Sequence, residues 1–206
     1  FNRKKQFARG VDNVSIHIKR GEIVGLVGES GSGKSTLGRS IIRLVDAQSG
    51  NVLFNGTNLL ELSASNLKEM RRDVQMIFQD PYASLNPRMT VFDTLAEPLL
   101  VHGIATKDTV LNRVNELMDD VGLDRRFIRK YPHEFSGGQR QRIAIARALM
   151  HDGDIWLFDE VTSALDRTTS DTLTQRLLDY GKHKICLFVT HDLNLADKCP
   201  HRIYLD

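Results

Sequence analysis

The sequence has few cysteines and no long apolar segment. Its two cysteines are Cys186 and Cys199, which is too few for a disulfide framework or a cysteine-based zinc site. Cys186 lies inside the apolar run 185–189, which predicts a buried, reduced thiol and a reducing, cytoplasmic compartment. No apolar run approaches the ~20 residues that span a bilayer, and no signal peptide is recognisable. A role at a membrane would therefore require a partner.

The sequence also lacks an excess of one charge. It has 28 basic and 26 acidic residues, with a formal net charge of +2. This balance does not indicate binding to nucleic acid or to an anionic membrane, and we expect no nucleic-acid partner. Hydrophobic residues make up 41% and charged residues 26% of the 206 residues, which is typical of a globular chain large enough to bury a core.

Three short, continuous apolar runs predict strands buried on both faces of a parallel sheet. They are residues 23–27, 155–158 and 185–189. Each run ends in residues with chemical function, and ligands of open α/β sheets bind beyond the carboxyl ends of the strands. The alternation over 14–18 predicts a half-buried strand, and residues 50–56 predict a short strand between turn residues. We therefore expect an antiparallel sheet near the N-terminus.

Periodic apolar residues predict helices elsewhere. One predicted helix starts with Thr106 as a possible N-cap and ends at Gly122, and leucines at 173–178 mark another that ends near Gly181. The stretch from about 82 to 150 is mostly helical by this criterion, which is long for a simple crossover between strands. We therefore predict a helical subdomain inserted into an α/β core.

Residues 28–35 fit the phosphate-binding pattern G-x-x-x-x-G-K-[ST]. They follow the predicted strand that ends at Val27 and precede a predicted helix over 36–44. Lys34 would reach the β- and γ-phosphates, and the Ser35 hydroxyl would hold Mg²⁺. The pattern predicts binding of a nucleoside triphosphate with magnesium, and we expect this nucleotide to be ATP. The candidate nucleotide-binding residues here are Gly28, Glu29, Ser30, Gly31, Ser32, Gly33, Lys34, Ser35 and Thr36.

Two acidic residues follow the apolar run 155–158. Asp159 is the expected second magnesium position, directly or through water. Glu160 could orient and deprotonate an attacking water molecule. The alternative is a solvated acidic turn, which is common for an isolated Asp-Glu pair.

Three further positions are weaker candidates when read alone. Residues 136–139, Ser-Gly-Gly-Gln, precede a predicted helix over 140–150 and could form a second anion-binding helix start, or an ordinary capped turn. Gln79 follows an apolar run and could contact Mg²⁺ or water, although an isolated glutamine is usually a surface residue. His191 ends a core-like strand on the ligand side, although an isolated histidine is more often structural.

Together these segments closely resemble the nucleotide-binding domain of an ABC transporter ATPase, over essentially the whole chain. The motifs occur in the family's order: 28–35 (Walker A), Gln79 (Q-loop), 136–139 (signature), 155–159 (Walker B), 163–166 (D-loop) and His191 (switch histidine). The resemblance implies a P-loop NTPase with a RecA-like core, an N-terminal antiparallel β subdomain and an inserted helical subdomain. It implies one domain over 1–206 that lacks the family's C-terminal extension.

The resemblance also implies a mechanism. Two such domains would close head-to-tail around two ATP molecules, so that Ser136, Gly137, Gly138 and Gln139 of one contact the γ-phosphate held by the other. Glu160 would activate water, His191 and Gln79 would line the γ-phosphate, and Asp166 would bridge the subunits. An upstream aromatic residue would stack on adenine; we favour Phe1, with Phe7 as the alternative.

The amino-acid sequences of three segments indicate one branch of the family. Residues 28–30, 78–90 and 131–135 are similar to the oligopeptide, dipeptide and nickel importer branch, and Gln139 with residues 88–90 is similar to the second of its two paired ATPase subunits. The implied partners are a second ATPase subunit and transmembrane permease subunits that dock near 79–100. The implied location is peripheral, at the cytoplasmic face of the cell membrane.

Some positions depart from the family pattern. Val161 occupies a position where the family usually has proline, which would stiffen the turn. Residues 167–169 also differ from the family's usual sequence. The alternatives to an importer ATPase are a peptide exporter that shares this cassette, a non-transport ABC ATPase and a hydrolytically inactive module. The absence of a heptad run between Gly28 and Ser136 argues against a repair-type member, and intact Glu160, Gln79 and His191 argue against inactivity.

Overall fold

A computed structural model describes residues 10–71, 73–78, 85–150 and 153–205. In chain order its helices and strands are β1 Ile23–Val27, α1 Lys34–Ile41, β2 Leu53–Phe54, β3 Thr57–Asn58, α2 Ala64–Met70, β4 Val74–Ile77, α3 Val91–Val101, α4 Val110–Asp120, α5 Gly137–Leu149, β5 Ile155–Asp159, α6 Arg167–Tyr180, β6 Ile185–Thr190, α7 Leu193–Lys198 and β7 His201–Tyr204. None of the helices within these ranges is long and apolar enough to cross a bilayer.

A parallel sheet of five strands, in the order β4-β5-β6-β1-β7, forms the centre of the fold. The three apolar runs become β1, β5 and β6, which are neighbours in this sheet, and nearly all their residues are buried. The predicted α/β fold with a parallel sheet is confirmed. The register sets Asp159 opposite Val189 and Val27 opposite Thr190, so these strands end at the same edge.

Apolar side chains cover both faces of the sheet. On one face Leu26, Leu157 and Val189 pack with residues of α1, and Gly38 allows the close approach because a Cβ there would lie 3.2 Å from a methyl group of Leu157. On the other face the rings of Phe158 and Phe188 stack with centroids 4.2 Å apart. The predicted burial of the Cys186 thiol is confirmed on this second face.

The antiparallel sheet is smaller than the sequence suggested. β2 and β3 pair antiparallel, and Asn55 and Gly56 between them have positive φ angles of 48° and 79°, as a tight hairpin turn requires. The short strand predicted between turn residues in 50–56 is confirmed as β2, and the hairpin turn lies at the second pair of those turn residues. The predicted strand over 14–18 is not a strand, although Val14, Ile16 and Ile18 are more buried than their neighbours.

Helices α3, α4 and α5, which lie between β4 and β5 in the sequence, pack against one another. α4 begins after Thr109 rather than after Thr106, and Thr109 accepts the Thr106 N–H at its side-chain oxygen. Gly122 ends α4 with a φ of 67°, as predicted. Residues Thr90 and Asp93 form a reciprocal capping box at the start of α3, which stabilises that helix end.

The boundaries of the other predicted helices shift by a few residues. α1 covers Lys34–Ile41 instead of 36–44, because the Leu37 N–H already bonds the Gly33 carbonyl oxygen at 2.8 Å. α5 starts at Gly137 instead of at 140. α6 ends at Tyr180, next to Gly181, as the leucine pattern predicted.

Candidate functional site

Three loops that follow neighbouring strands meet at one edge of the sheet. The phosphate loop follows β1, residues 159–160 end β5, and His191 follows β6. Because these three strands are parallel neighbours, their carboxyl ends bring the loops together, as expected for the ligand side of an α/β sheet. The strand order therefore assembles residues that are more than a hundred positions apart in the sequence.

Glycines let other backbone segments approach the phosphate loop closely. A Cβ on Gly33 would lie 1.8 Å from the Gly10 carbonyl oxygen, and a Cβ on Gly28 would lie 2.2 Å from that of Leu205. Gly31 and Gly33 have φ angles of 91° and 92°, in the region that favours glycine. No side chain caps the start of α1, so the N–H groups of its first turn remain available to an anion.

The Lys34 side chain lies inside the curve of this loop and is only 5% exposed. Its ammonium group donates hydrogen bonds to the carbonyl oxygens of Gly28, at 2.7 Å, and Glu29, at 2.5 Å. The lysine therefore holds a positive charge at the centre of the loop, next to the N-terminus of α1. Both features favour an anion at this position.

A buried carboxylate lies beside the loop. The Asp159 side chain is 0% exposed, and the Ser35 hydroxyl donates to its Oδ1 atom at 2.6 Å. The Arg39 guanidinium donates to the other oxygen, Oδ2, at 3.3 Å. The sequence analysis did not identify Arg39, although its spacing of four residues from Ser35 places both on one face of α1.

The second acidic residue, Glu160, forms a pair with the histidine that follows the neighbouring strand. His191 Nδ1 lies 2.7 Å from Glu160 Oε1. The Glu160 N–H also donates to the Val189 carbonyl oxygen at 2.9 Å. The backbone of Glu160 is left-handed, with a φ of 51°, and its side chain is largely buried. Glu160 is thus held by β6 through its backbone and by His191 through its carboxylate.

The Ser136 turn forms a capped helix start. The Ser136 side chain accepts the N–H of Gln139, and the Gln139 side chain accepts the N–H of Ser136 at 3.0 Å. A Cβ on Gly138 would lie 2.7 Å from the Ala164 carbonyl oxygen, whereas a Cβ on Gly137 would meet open space. The turn therefore packs against the segment 163–166 on one side and leaves the other side accessible.

Asp166 caps α6 within the chain. Its carboxylate accepts the N–H of Thr169 at 3.0 Å, and hydrogen bonds from Thr169 lower the pKa of the Asp166 carboxyl. In the part of the chain that the structure covers, no hydrogen bond or ion pair joins Asp166 or the Ser136 turn to the phosphate loop. The candidate residues thus fall into two separate groups.

Gln79, Phe1 and Phe7 lie outside the described residues, so their assignments stay predictions. Among the residues that are described, no group of three or more His, Cys, Asp or Glu could hold a metal ion. The Ser35 hydroxyl and the Asp159 carboxylate provide hard oxygen donors at the phosphate loop. Mg²⁺ prefers ligands of this type.

Comparison with known proteins identifies similar chains. Residues 11–163 match the family model described as ABC transporter. The glutathione import ATP-binding protein GsiA of Salmonella typhimurium is 46% identical over 205 residues, which cover 98% of this chain and 33% of GsiA. The oligopeptide transport ATP-binding protein OppF of Bacillus subtilis is 51% identical over 199 residues, which cover 95% of this chain and 65% of OppF. The chain thus spans less than two thirds of either relative.

A solved structure has the same fold over the whole chain. It is the dimeric post-hydrolysis state of the ATP-binding cassette MJ0796 bound to ADP and Pi. Its TM-score is 0.89 at 34% sequence identity, with 100% of this chain and 90% of that chain covered.

Proposed function

Because the chain belongs to the ABC transporter family, we propose that it is an ATP-binding and ATP-hydrolysing subunit that powers a membrane transporter. The observation that carries the proposal is the meeting of a phosphate loop, a buried Asp159 and the Glu160–His191 pair at one edge of the sheet. A charged loop for phosphate, a metal position and a general base are the parts that phosphoryl transfer requires.

The phosphate groups of ATP would bind in the loop 28–35. The N–H groups at the start of α1 and the Lys34 ammonium would donate hydrogen bonds to them. Lys34 would exchange its present acceptors, the carbonyl oxygens of Gly28 and Glu29, for phosphate oxygens. This exchange supplies a cation to the β- and γ-phosphates without a large movement of the loop.

Ser35 and Asp159 would hold Mg²⁺. Their oxygen atoms are 2.6 Å apart, so both could lie within the coordination shell of one small cation whose remaining ligands are phosphate oxygens and water. Bound there, Mg²⁺ would neutralise charge on the phosphates. Gln79 stays a predicted further ligand on sequence grounds.

Glu160 would accept a proton from the attacking water molecule. His191 would keep the carboxylate oriented through its Nδ1 contact, and its ring is 60% exposed, so it would also be accessible to a γ-phosphate. We assign Glu160 as the general base and His191 as the residue that positions it and lines the γ-phosphate.

A second ATPase domain would complete the site. The Ser136 turn is accessible on its Gly137 side but has no contact with its own phosphate loop in the described part of the chain. Two copies arranged head-to-tail would place this helix start against the γ-phosphate of the other copy, with Asp166 at the boundary between them. The dimeric ATP-binding cassette MJ0796 supports this arrangement.

The transported solute would be a peptide or a related compound. The relatives GsiA and OppF are named for glutathione import and oligopeptide transport, and both solutes contain peptide bonds. Permease subunits would dock near 79–100, where a cleft of about 530 Å³ is lined by Glu97, His102 and Arg147 among others. The chain would then lie peripherally at the cytoplasmic face of the membrane.

Light scattering on the Glu160→Gln variant, with and without ATP and Mg²⁺, tests the proposal. We expect a monomer without nucleotide and a dimer with it, because slow hydrolysis preserves the closed state. The double variant Lys34→Ala/Glu160→Gln is the matched control and should stay monomeric. A chain that binds no ATP in equilibrium measurements would overturn the proposed function. A monomer that does bind ATP would show that closure needs a sister subunit or the permease.

A further inference from the structure

Asp159 has no exposed surface, although it is the carboxylate proposed to hold a metal ion. Its side chain is 0% exposed, and its two oxygens contact Ser35 and Arg39. A buried carboxylate is costly unless a charge or hydrogen bonds compensate for it. Here Arg39 supplies the compensating charge, and a metal ion can reach the carboxylate only if one of these partners moves.

Arg39 is held loosely enough to be that partner. Its contact to Asp159 Oδ2 is a single hydrogen bond at 3.3 Å, rather than the paired arrangement that makes arginine–carboxylate contacts strong. Its Nε atom is buried without a hydrogen-bond partner, which is unfavourable. The side chain is still 41% exposed, so the guanidinium can swing outward into water and regain hydration. Ser35 lies on the first turn of α1, and its side chain is too short to swing out into water as the Arg39 side chain can.

We propose that Arg39 is the resident counter-ion of the magnesium position. It neutralises Asp159 while the site is without nucleotide and moves away when a metal–nucleotide complex binds. Because two cations beside one carboxylate repel each other, Arg39 lowers the affinity of the empty site for free divalent metal. Metal binding then depends on the phosphates that arrive with it. This role rests on the proposed function, and Arg39 acts on the charge of Asp159 rather than on the reacting atoms.

A purely structural role for Arg39 predicts the opposite sign. If Arg39 only holds Asp159 in a ligand-ready orientation, its removal would misplace the carboxylate and weaken metal binding. If it is a counter-ion, its removal leaves an uncompensated carboxylate that a metal ion can neutralise, and metal binding becomes tighter. The direction of the change in metal affinity therefore decides between the two roles.

The test is a titration with Mn²⁺, a paramagnetic substitute for Mg²⁺, in which electron paramagnetic resonance measures the free ion without nucleotide. Arg39→Gln keeps an N–H donor but removes the charge, and we expect it to bind Mn²⁺ roughly tenfold more tightly than the wild type, from the repulsion between nearby charges. Arg39→Lys keeps the charge and should resemble the wild type. Adding Asp159→Asn to Arg39→Gln should abolish the gain, which locates the bound ion.

Arg113→Gln is the matched control, because Arg113 is similarly exposed, at 38%, and pairs with Glu116 on α4. It removes the same charge from a helix that carries none of the site residues, and it should leave Mn²⁺ affinity unchanged. Equal or weaker Mn²⁺ binding by folded Arg39→Gln would overturn the proposal, and Arg39→Met supplies a second neutral variant if Arg39→Gln does not fold. ATP binding by the wild type is measured separately and tests the proposed function. Failure of the counter-ion proposal can therefore be distinguished from failure of the proposed function.

Discussion

His191 Nδ1 and Glu160 Oε1 are 2.7 Å apart although the two residues belong to loops after different strands. The contact follows from the sheet, because β5 and β6 are parallel neighbours and Asp159 lies opposite Val189. Glu160 is the first residue after β5 and His191 the first after β6, so both lie at the same edge of the sheet. The pair couples the candidate general base to a more exposed side chain that can respond to a bound ligand.

The Glu160→Gln variant should bind ATP but hydrolyse it slowly. Glutamine preserves the size of the side chain and its contact with His191 but cannot accept the proton of water. We expect phosphate release to fall by roughly 10²–10⁴, the range for loss of a general base, with nucleotide affinity little changed. Glu116→Gln, an exposed substitution on α4, is the control. Wild-type turnover by Glu160→Gln would exclude the assignment of Glu160.

The Lys34→Ala variant should lose ATP hydrolysis. Its ammonium donates to two loop carbonyls and would supply the cation for the phosphates, so alanine removes the charge that attracts the ligand. Binding of a fluorescent ATP analogue and phosphate release measure the effect, with Lys68→Ala on the exposed surface of α2 as the control. Unchanged hydrolysis by Lys34→Ala would contradict the proposed role of the loop.

The two adjacent glycines of the Ser136 turn should respond differently to alanine. A Cβ on Gly138 would lie 2.7 Å from the Ala164 carbonyl oxygen, which forces a backbone shift, and overpacking of this kind costs about 1–3 kcal/mol of stability. Gly137→Ala meets open space and should leave the free energy of unfolding unchanged or higher, since alanine favours helix.

Denaturant unfolding of both variants measures this difference. Gly137→Ala should nevertheless reduce ATP-dependent dimerisation of the Glu160→Gln chain, because the added methyl group occupies the side proposed to face the partner. Equal stability of the two variants would contradict the packing of Gly138 against Ala164.

The two thiols should stay unreactive until the chain unfolds. Burial raises the pKa of Cys186 to about 12 and that of Cys199 to about 11, from an ordinary value of 9.0. The folded chain therefore favours the protonated thiols. Because the folded chain holds these protons more tightly than the unfolded chain, the raised pKa values contribute to the free energy of unfolding. This contribution is complete below pH 9 and is lost as pH rises through 11 to 12.

Thiol labelling at pH 8 with and without denaturant measures this protection. We expect no labelling of the folded chain and labelling of both cysteines after unfolding, with Cys186→Ala reducing the unfolded count to one. Rapid labelling of the native chain at either position would show that the cysteine is accessible.

The central strands could be predicted because burial on both faces leaves a continuous apolar run, as in 23–27 and 185–189. The short strand in 50–56 could be predicted because turn residues bound it on both sides, and Asn55 and Gly56 do form the turn after β2. The segment 14–18 has the alternation of a strand, but alternation reports which side chains face the protein and not whether a neighbouring backbone is available for pairing.

The motif residues at strand ends could also be predicted, whereas their contacts could not. The pairing of Glu160 with His191 depends on which strands are neighbours, and the sequence does not give the strand order. Arg39 has no motif to mark it. Only its spacing from Ser35 relates it to the site, and many helical arginines share such a spacing with a polar residue.

The left-handed backbone of Glu160, with its φ of 51°, has a consequence for surveys of variants. A residue with a side chain holds such a conformation at a cost of about 1–2 kcal/mol, which glycine avoids. Glu160→Gly would relieve that cost and also remove the carboxylate. A screen that scores cellular abundance would then tolerate or favour this substitution, while a screen that scores ATP hydrolysis would reject it. Opposite scores at this position would distinguish a site maintained for activity from one maintained for folding.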